Sequence, residues 1–352
     1  MPQISRNNPT FWLVIFTVLI LLTYLLRSIL LPFALGGLVG YLFNPLVDKF
    51  TKLKINRTAS SCLVMLLIII IALPTFFALC YFAEAQIKTF ATSAPHYISS
   101  LTAKISPLIT TLQENFPSLS KETLMEYLQN NLSQTTKFIG KILQKIISGS
   151  FAFFNIISLL LITPIVAFYM LRDWPSFIHH MDDLTPKSAR KDVREQAKAI
   201  DRIISSFIRG QISVCLILGA FYAVGLSIIG LDLGLLVGLI AGIISFIPYV
   251  GSITGFVLSI ALAFAQFDSI TPIIAVVAVF AVGQFLEGNF LTPKLVGDSI
   301  GLHPLWVMFA LLAGGVLLGF LGLMIAVPLA AVIGVLTRYA ITKYKKSSIY
   351  KN

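Results

Sequence analysis

Between Ser61 and Phe82 the chain reads SCLVMLLIIIIALPTFFALCYF, without one charged side chain. A helix rises 1.5 Å per residue, so about 20 such residues cross the roughly 30 Å of hydrocarbon in a bilayer. Runs of this kind lie at 11–31, 58–82, 150–171, 206–229 and 270–290, and a further run at 33–47 follows Pro32 and the hinge-like pair Gly36 and Gly37. None alternates with the period of two that a barrel strand requires, so the spanning elements are helices. With 57% of its 352 residues hydrophobic and 12% charged, the chain has too little polar surface to cover a soluble globule. The expectation is an all-α polytopic membrane protein with the lipid bilayer as its first partner.

The net charge of +11 invites a nucleic-acid reading. The Lys and Arg residues, however, lie between and at the ends of the apolar runs, as the positive-inside bias places them, and no nucleic-acid partner is expected. DKFTKLKINR, the basic stretch from Arg172 to Arg209 and the C-terminal TRYAITKYKKSSIYK are expected in the cytoplasm, which places both termini there. Cys62, Cys80 and Cys215 all fall inside apolar runs with no CxxC pair or His cluster. They predict neither a disulfide framework nor a metal site. No phosphate-binding loop, nucleophile elbow or HExxH is present, so the chain reads as neither an ATPase nor a hydrolase, and no cofactor is expected.

Three regions follow. Residues 1–83 hold N-terminal transmembrane helices, and 148–352 a transport core that includes a charged cytoplasmic helix at 173–205. Residues 84–147 read as an extracytoplasmic loop of short amphipathic helices, with Ile105, Leu108, Ile109 and Leu112 at helical spacing and with Pro95, Pro107 and Pro117 as punctuation.

The core carries a pattern that occurs twice. Residues 234–267 are apolar on both sides of a break from Pro248 to Gly251, with arms too short for a full crossing, which predicts a helical hairpin that turns back inside the protein. Residues 305–336 form a second apolar pair around Gly319 and Gly322. On the charge argument, the helices before the two hairpins run in opposite senses, the layout of an inverted repeat with broken helices. Gly230, Gly234, Gly238 and Gly242 recur every four residues, a spacing that lets helix backbones approach and permits a homo-oligomer.

Polar residues within this hydrocarbon are the site candidates. For a substrate or ion pathway these are Glu287, Gln284 and Asn289 at the end of the 270–290 run, Gln211 at the start of another, and Pro248 and Gly251 at the hairpin break. Gate or coupling candidates are Pro293, Lys294, Asp298, Arg172, Asp173 and Arg209. Each also has a structural reading: Glu287 as an interface residue paired with Lys294, Asp298 as a turn or cap, Arg209 as a snorkelling anchor, and Arg172 with Asp173 as an interfacial ion pair. His303, before Pro304, reads as an interface residue.

PFALGGLVGYLFNPLVD, TPIVAFYMLRDW, FIRGQ, SFIPYVGSITG, FLEGNFLTPKLVGDSIGLHPLWV and GFLGLMIAVPLAA together resemble the autoinducer-2 exporter family of PerM-like permeases. The resemblance runs from Pro32 to about Arg338, and residues 285–306 are its most distinctive block. It implies a multi-pass permease of the bacterial plasma (inner) membrane with about eight spans. Family members are linked to efflux of autoinducer-2 and others to sodium/proton antiport. The expected function is a secondary transporter that exports a small polar metabolite or signal, such as autoinducer-2, by alternating access. A sodium/proton antiporter with a cation substrate and an oligomeric channel or scaffold are the alternatives.

Overall fold

The computed structural model describes residues 17–18, 26–115, 152–296, 301–347 and 350. Its elements are α1 (Arg27–Lys52), α2 (Arg57–Asn115), α3 (Ala152–Asp183), α4 (Arg190–Ile229), α5 (Gly234–Ile244), α6 (Val250–Gln266), α7 (Ile270–Leu286), α8 (Pro304–Leu318) and α9 (Phe320–Lys346). A π-helix, Glu287–Val296, continues α7. Among the described residues there is no strand. Among the described residues, five helices are long and apolar enough to cross a bilayer: α1, α2, α4, α7 with its π continuation, and α9. The shorter α5, α6 and α8 are also apolar. The protein is a helical membrane protein. The 11–31 run lies mostly outside the described residues.

Three expectations change. α2 is one helix of 59 residues that passes through Pro74, Pro95 and Pro107, where short punctuated helices were expected. An internal proline removes one backbone hydrogen bond, and at Pro95 tertiary contacts on either side hold the helix through it. Phe90 and Tyr97 are buried with Ala265 against Leu233 and Leu262. Pro117 and the rest of that region, 116–151, lie outside the described residues. Pro32 likewise leaves α1 unbroken, and Gly36 is a packing residue, since a side chain there would strike Val166 and the Thr163 carbonyl of α3. Finally, the second arm of the 305–336 pair is no short arm: α9 runs on to Lys346 and spans 27 residues.

The chain forms two compact units. The first comprises α1, the start of α2, α3, the charged start of α4, and α8 with α9. Pro175 lies inside α3 and has no N–H to give the Leu171 carbonyl. The Arg57 Nε donates to that carbonyl at 2.9 Å and to the Arg172 carbonyl at 3.1 Å. The same guanidinium reaches Asp48 Oδ1 at 2.7 Å and Asn44 Oδ1 at 2.6 Å, so one side chain ties α1, α2 and α3 together. The charged stretch is not one helix from 173 to 205: residues 173–183 complete α3, the chain turns at 184–189, and only from Arg190 does the charged helix run into the next span, as read from the sequence. Asp182 holds Arg194 at 2.7 and 2.6 Å, and that hydrogen-bonded guanidinium keeps the Asp182 carboxyl below the usual carboxylate range. α8 and α9 meet at Gly314 and Gly322, backbone against backbone, around a turn at Gly319 whose φ of 62° favours glycine. His303 caps α8 by accepting from the Leu305 N–H at 3.3 Å, with Pro304 in the first helical position.

The second unit comprises the remainder of α2, α4 from Arg209, α5, α6, α7 and the π-helix. Here three glycines of the predicted ladder form a close interface between α4 and α5, while Gly230 instead turns the chain between them with a φ of 81° and nothing within 4 Å of a Cβ. A side chain at Gly234 would meet Leu226, at Gly238 the backbone of Tyr222 and Ala223, and at Gly242 the backbone of Gly219 and Cys215. The far half of α2 is fastened to the ends of α4, α5 and α6. Gln86 accepts from the Leu236 N–H at 3.2 Å, a first-turn donor with no partner inside α5. Tyr97 donates to Asp232, and Lys104 caps the end of α6 at the carbonyls of Phe264 (3.0 Å) and Phe267 (2.7 Å).

A polar seam in the second unit as candidate functional site

The seam starts at the break between α5 and α6. α5 ends after 11 residues, about 16 Å of helix, and leaves carbonyls without helical donors. One belongs to Ser245, the residue after α5. Gln211, buried on α4, donates its Nε2 to that carbonyl at 2.6 Å, and the Ser245 hydroxyl turns back to the Ala241 carbonyl at 2.8 Å. Gly251 packs against this turn so closely that a Cβ would strike the Ser245 amide and hydroxyl. The chain turns through Pro248 and then Tyr249, whose φ of 68° is a left-handed conformation rarely held by a bulky residue. Gln211, Pro248 and Gly251 thus belong to one hairpin tip.

A second polar group sits where α7 becomes a π-helix. Gln284 and Glu287 are three residues apart and share a face, and the Gln284 Nε2 donates to Glu287 Oε2 at 2.8 Å. Beyond them Pro293 withdraws a backbone donor, and the Asn289 side chain donates to the Phe285 carbonyl at 3.0 Å. Wider π turns are rare and concentrate at functional sites. The expected Glu287–Lys294 pairing does not form. Lys294 is exposed with its Nζ 5.7 Å from the centre of the Phe290 ring, and Glu287, half-buried, has a neutral partner.

α4 joins the two groups. Gly210 lies against the backbone of Leu295 and Val296 at the end of the π-helix, in contact too close for any side chain. One turn further along α4, Cys215 lies within electrostatic reach of Glu287, and two turns beyond it so does Tyr222. The Tyr222 ring stacks on Phe280 at 4.6 Å between centroids and 22° between planes. Gln211, Cys215, Tyr222, Gln284 and Glu287 therefore form one neighbourhood inside apolar helices. Arg209, at the start of this stretch, is exposed.

Two candidates belong to the first unit. Arg172 and Asp173 form a bidentate pair at 2.7 and 2.8 Å, with the Arg172 guanidinium 4.7 Å from the centre of the Tyr169 ring, an arrangement that fits the interfacial anchor. Asp298 lies outside the described residues. Among the described residues, no group of three or more His, Cys, Asp or Glu side chains could hold a metal ion.

Sequence reasoning missed two residues. Tyr222 sits in an apolar run and reads as core; only its position about three turns beyond Gln211 placed it on the same face as that residue. Arg57 was absorbed into the count of cytoplasmic positive charge.

The model of the AI-2E family transporters matches residues 13–341. The chain belongs to this family. YueF of Bacillus subtilis is 28% identical over 88% of the chain and 83% of its own length. YrrI of the same organism is 33% identical over 65% of the chain and 69% of its own length. The AI-2 transport protein TqsA of Escherichia coli is 24% identical over 87% and 84%. The protein is a permease-type transporter of the AI-2E family, built as a multi-pass membrane protein.

Proposed function

We propose that the protein works in the bacterial inner membrane, with both termini in the cytoplasm, as a secondary transporter that exports a small polar solute by alternating access through the second unit. The α5–α6 tip with Gln211, and Gln284, Glu287 and Asn289 on α7 and its π continuation, are the polar groups of the path. The observation that carries this reading is the Gln284–Glu287 pair at the α-to-π junction. A half-buried carboxylate with a neutral partner, on a helix long enough to span a bilayer, is costly, and carboxylates kept at that cost mark substrate and ion paths. Glu287 can exchange a proton as the path opens to one side and then the other, which would couple solute movement to the proton gradient. Broken helices supply unpaired backbone groups that bind solute in transporters of this type. The name of TqsA makes autoinducer-2 the first solute to try.

The test is solute movement in proteoliposomes under separately imposed proton and sodium gradients, with labelled autoinducer-2, comparing wild type with Glu287→Gln. Proton-driven movement of the label that Glu287→Gln removes supports the reading. Proton flux that follows sodium with no movement of the label replaces it with the antiporter. Non-saturating conductance replaces it with a channel.

A further inference from the structure

We infer that the Tyr222 hydroxyl is a solute contact and determines specificity in the transport path. Tyr222 is wholly buried, and its hydroxyl, beside the Gln284 side chain, makes no well-aligned hydrogen bond among the described residues. Buried polar groups are ordinarily satisfied, so a wholly buried orphan calls for a partner that comes and goes. Phenylalanine would fill the same space and stack on Phe280 equally well, so the hydroxyl is not there for packing.

Its surroundings point the same way. Gly283 lies against the phenol end of the ring, and a side chain there would strike Cε1, Cζ and the hydroxyl oxygen. The next residue, Gln284, is hydrogen-bonded to Glu287 and lines a cleft of about 270 Å³ between α6 and α7 together with Ser252, Phe256 and Phe280. Phe280 is thus shared: one contact is the Tyr222 ring, and another is Phe256, edge-on at 5.7 Å in the cleft. The hydroxyl can both donate and accept, as can the Gln284 amide and the Ser252 hydroxyl. Glu287 repels anions whenever it is ionised and can donate a hydrogen bond when it is protonated. The set suits an uncharged solute carrying hydroxyl or carbonyl groups. The assignment rests on the proposed transport through this unit.

The experiment is concentration-dependent transport of labelled autoinducer-2 by the full chain in proteoliposomes, wild type against Tyr222→Phe, with reconstituted amount and thermal stability measured for both. The variant removes one unpartnered oxygen and keeps the ring, so it should fold at least as well as wild type. The expected result is an apparent KM raised about tenfold with the maximal rate within about twofold, the behaviour of a lost binding contact. Unchanged KM in a wild type that transports the label overturns the assignment and leaves the proposed function standing. A wild type that moves no label overturns both.

Discussion

Arg57 Nε lies 2.9 Å from the carbonyl oxygen of Leu171, the carbonyl that Pro175 leaves without its helical donor. The proline break in α3 and the arginine at the head of α2 are therefore one feature, and the spare guanidinium nitrogens bind Asp48 and Asn44 on α1. Arg57→Ala should destabilise the protein by on the order of 2 kcal/mol, since hydrogen bonds to charged groups are worth more than neutral ones and the carbonyl is left bare. Pro175→Ala restores a backbone donor to Leu171. The double variant should then be less destabilised than the sum of the two singles, measured by thermal unfolding in detergent. Strict additivity would mean the two residues are not coupled.

Spacing alone made the α4–α5 interface legible. Gly234, Gly238 and Gly242 sit on one face because four residues are little more than a helical turn, and that face meets another backbone. Gly238→Ala should cost about 1–3 kcal/mol or prevent folding, because the new methyl meets the backbone of Ala223 and a helix axis must shift. Gly37→Ala is the contrast. Nothing lies within 4 Å of a Cβ there, and replacing a helical glycine with alanine should stabilise by about 0.5–1 kcal/mol. Unfolding midpoints that move the same way in both variants would contradict the packing assigned to Gly238.

The helical class, the charged start of α4 and the broken hairpin were readable for the same reason: apolar length, charge and glycine spacing are local properties. Pairings between distant residues were not. Glu287 looked able to pair with Lys294, seven residues on, but the π-helix changes the angular offset between them, and Glu287 takes Gln284 while Lys294 lies over Phe290. Pro95 and Pro107 looked like helix ends, yet α2 continues through both, and contacts far along the chain at Phe90 and Tyr97 hold it on either side of Pro95. Tyr222 carried no signal that separates a core ring from a polar contact, because its missing partner shows only in three dimensions.

Gln211 caps the hairpin tip through the Ser245 carbonyl at 2.6 Å, with both residues buried. Gln211→Leu keeps the bulk and strands that carbonyl, at an expected cost of about 1–3 kcal/mol. The loss should be local. Hydrogen exchange should quicken at residues 245–251 while the α4–α5 interface keeps its protection. Unchanged exchange at the tip would show that Gln211 does not hold it.

Asp232 accepts from both Tyr97 on α2 and Gln266 on α6, and Lys104 closes the same end by binding the Phe264 and Phe267 carbonyls and Asp268, the last at 3.2 Å. Tyr97→Phe leaves Asp232 with Gln266, whereas Lys104→Met strips the end of α6 of its cap and frees α2 from that end. Each bond is worth about 1 kcal/mol, a roughly fivefold change in a local opening equilibrium. Exchange between residues 97 and 115 should therefore quicken about fivefold in Tyr97→Phe, by more in Lys104→Met, which loses two carbonyl bonds and the Asp268 pair, and by most in the double. Residues 57–80 lie nearer the Arg57 tie and should be unaffected, because a helix frays from a released end. A uniform change along all of α2 would mean that it opens as one piece and that these contacts hold the whole helix.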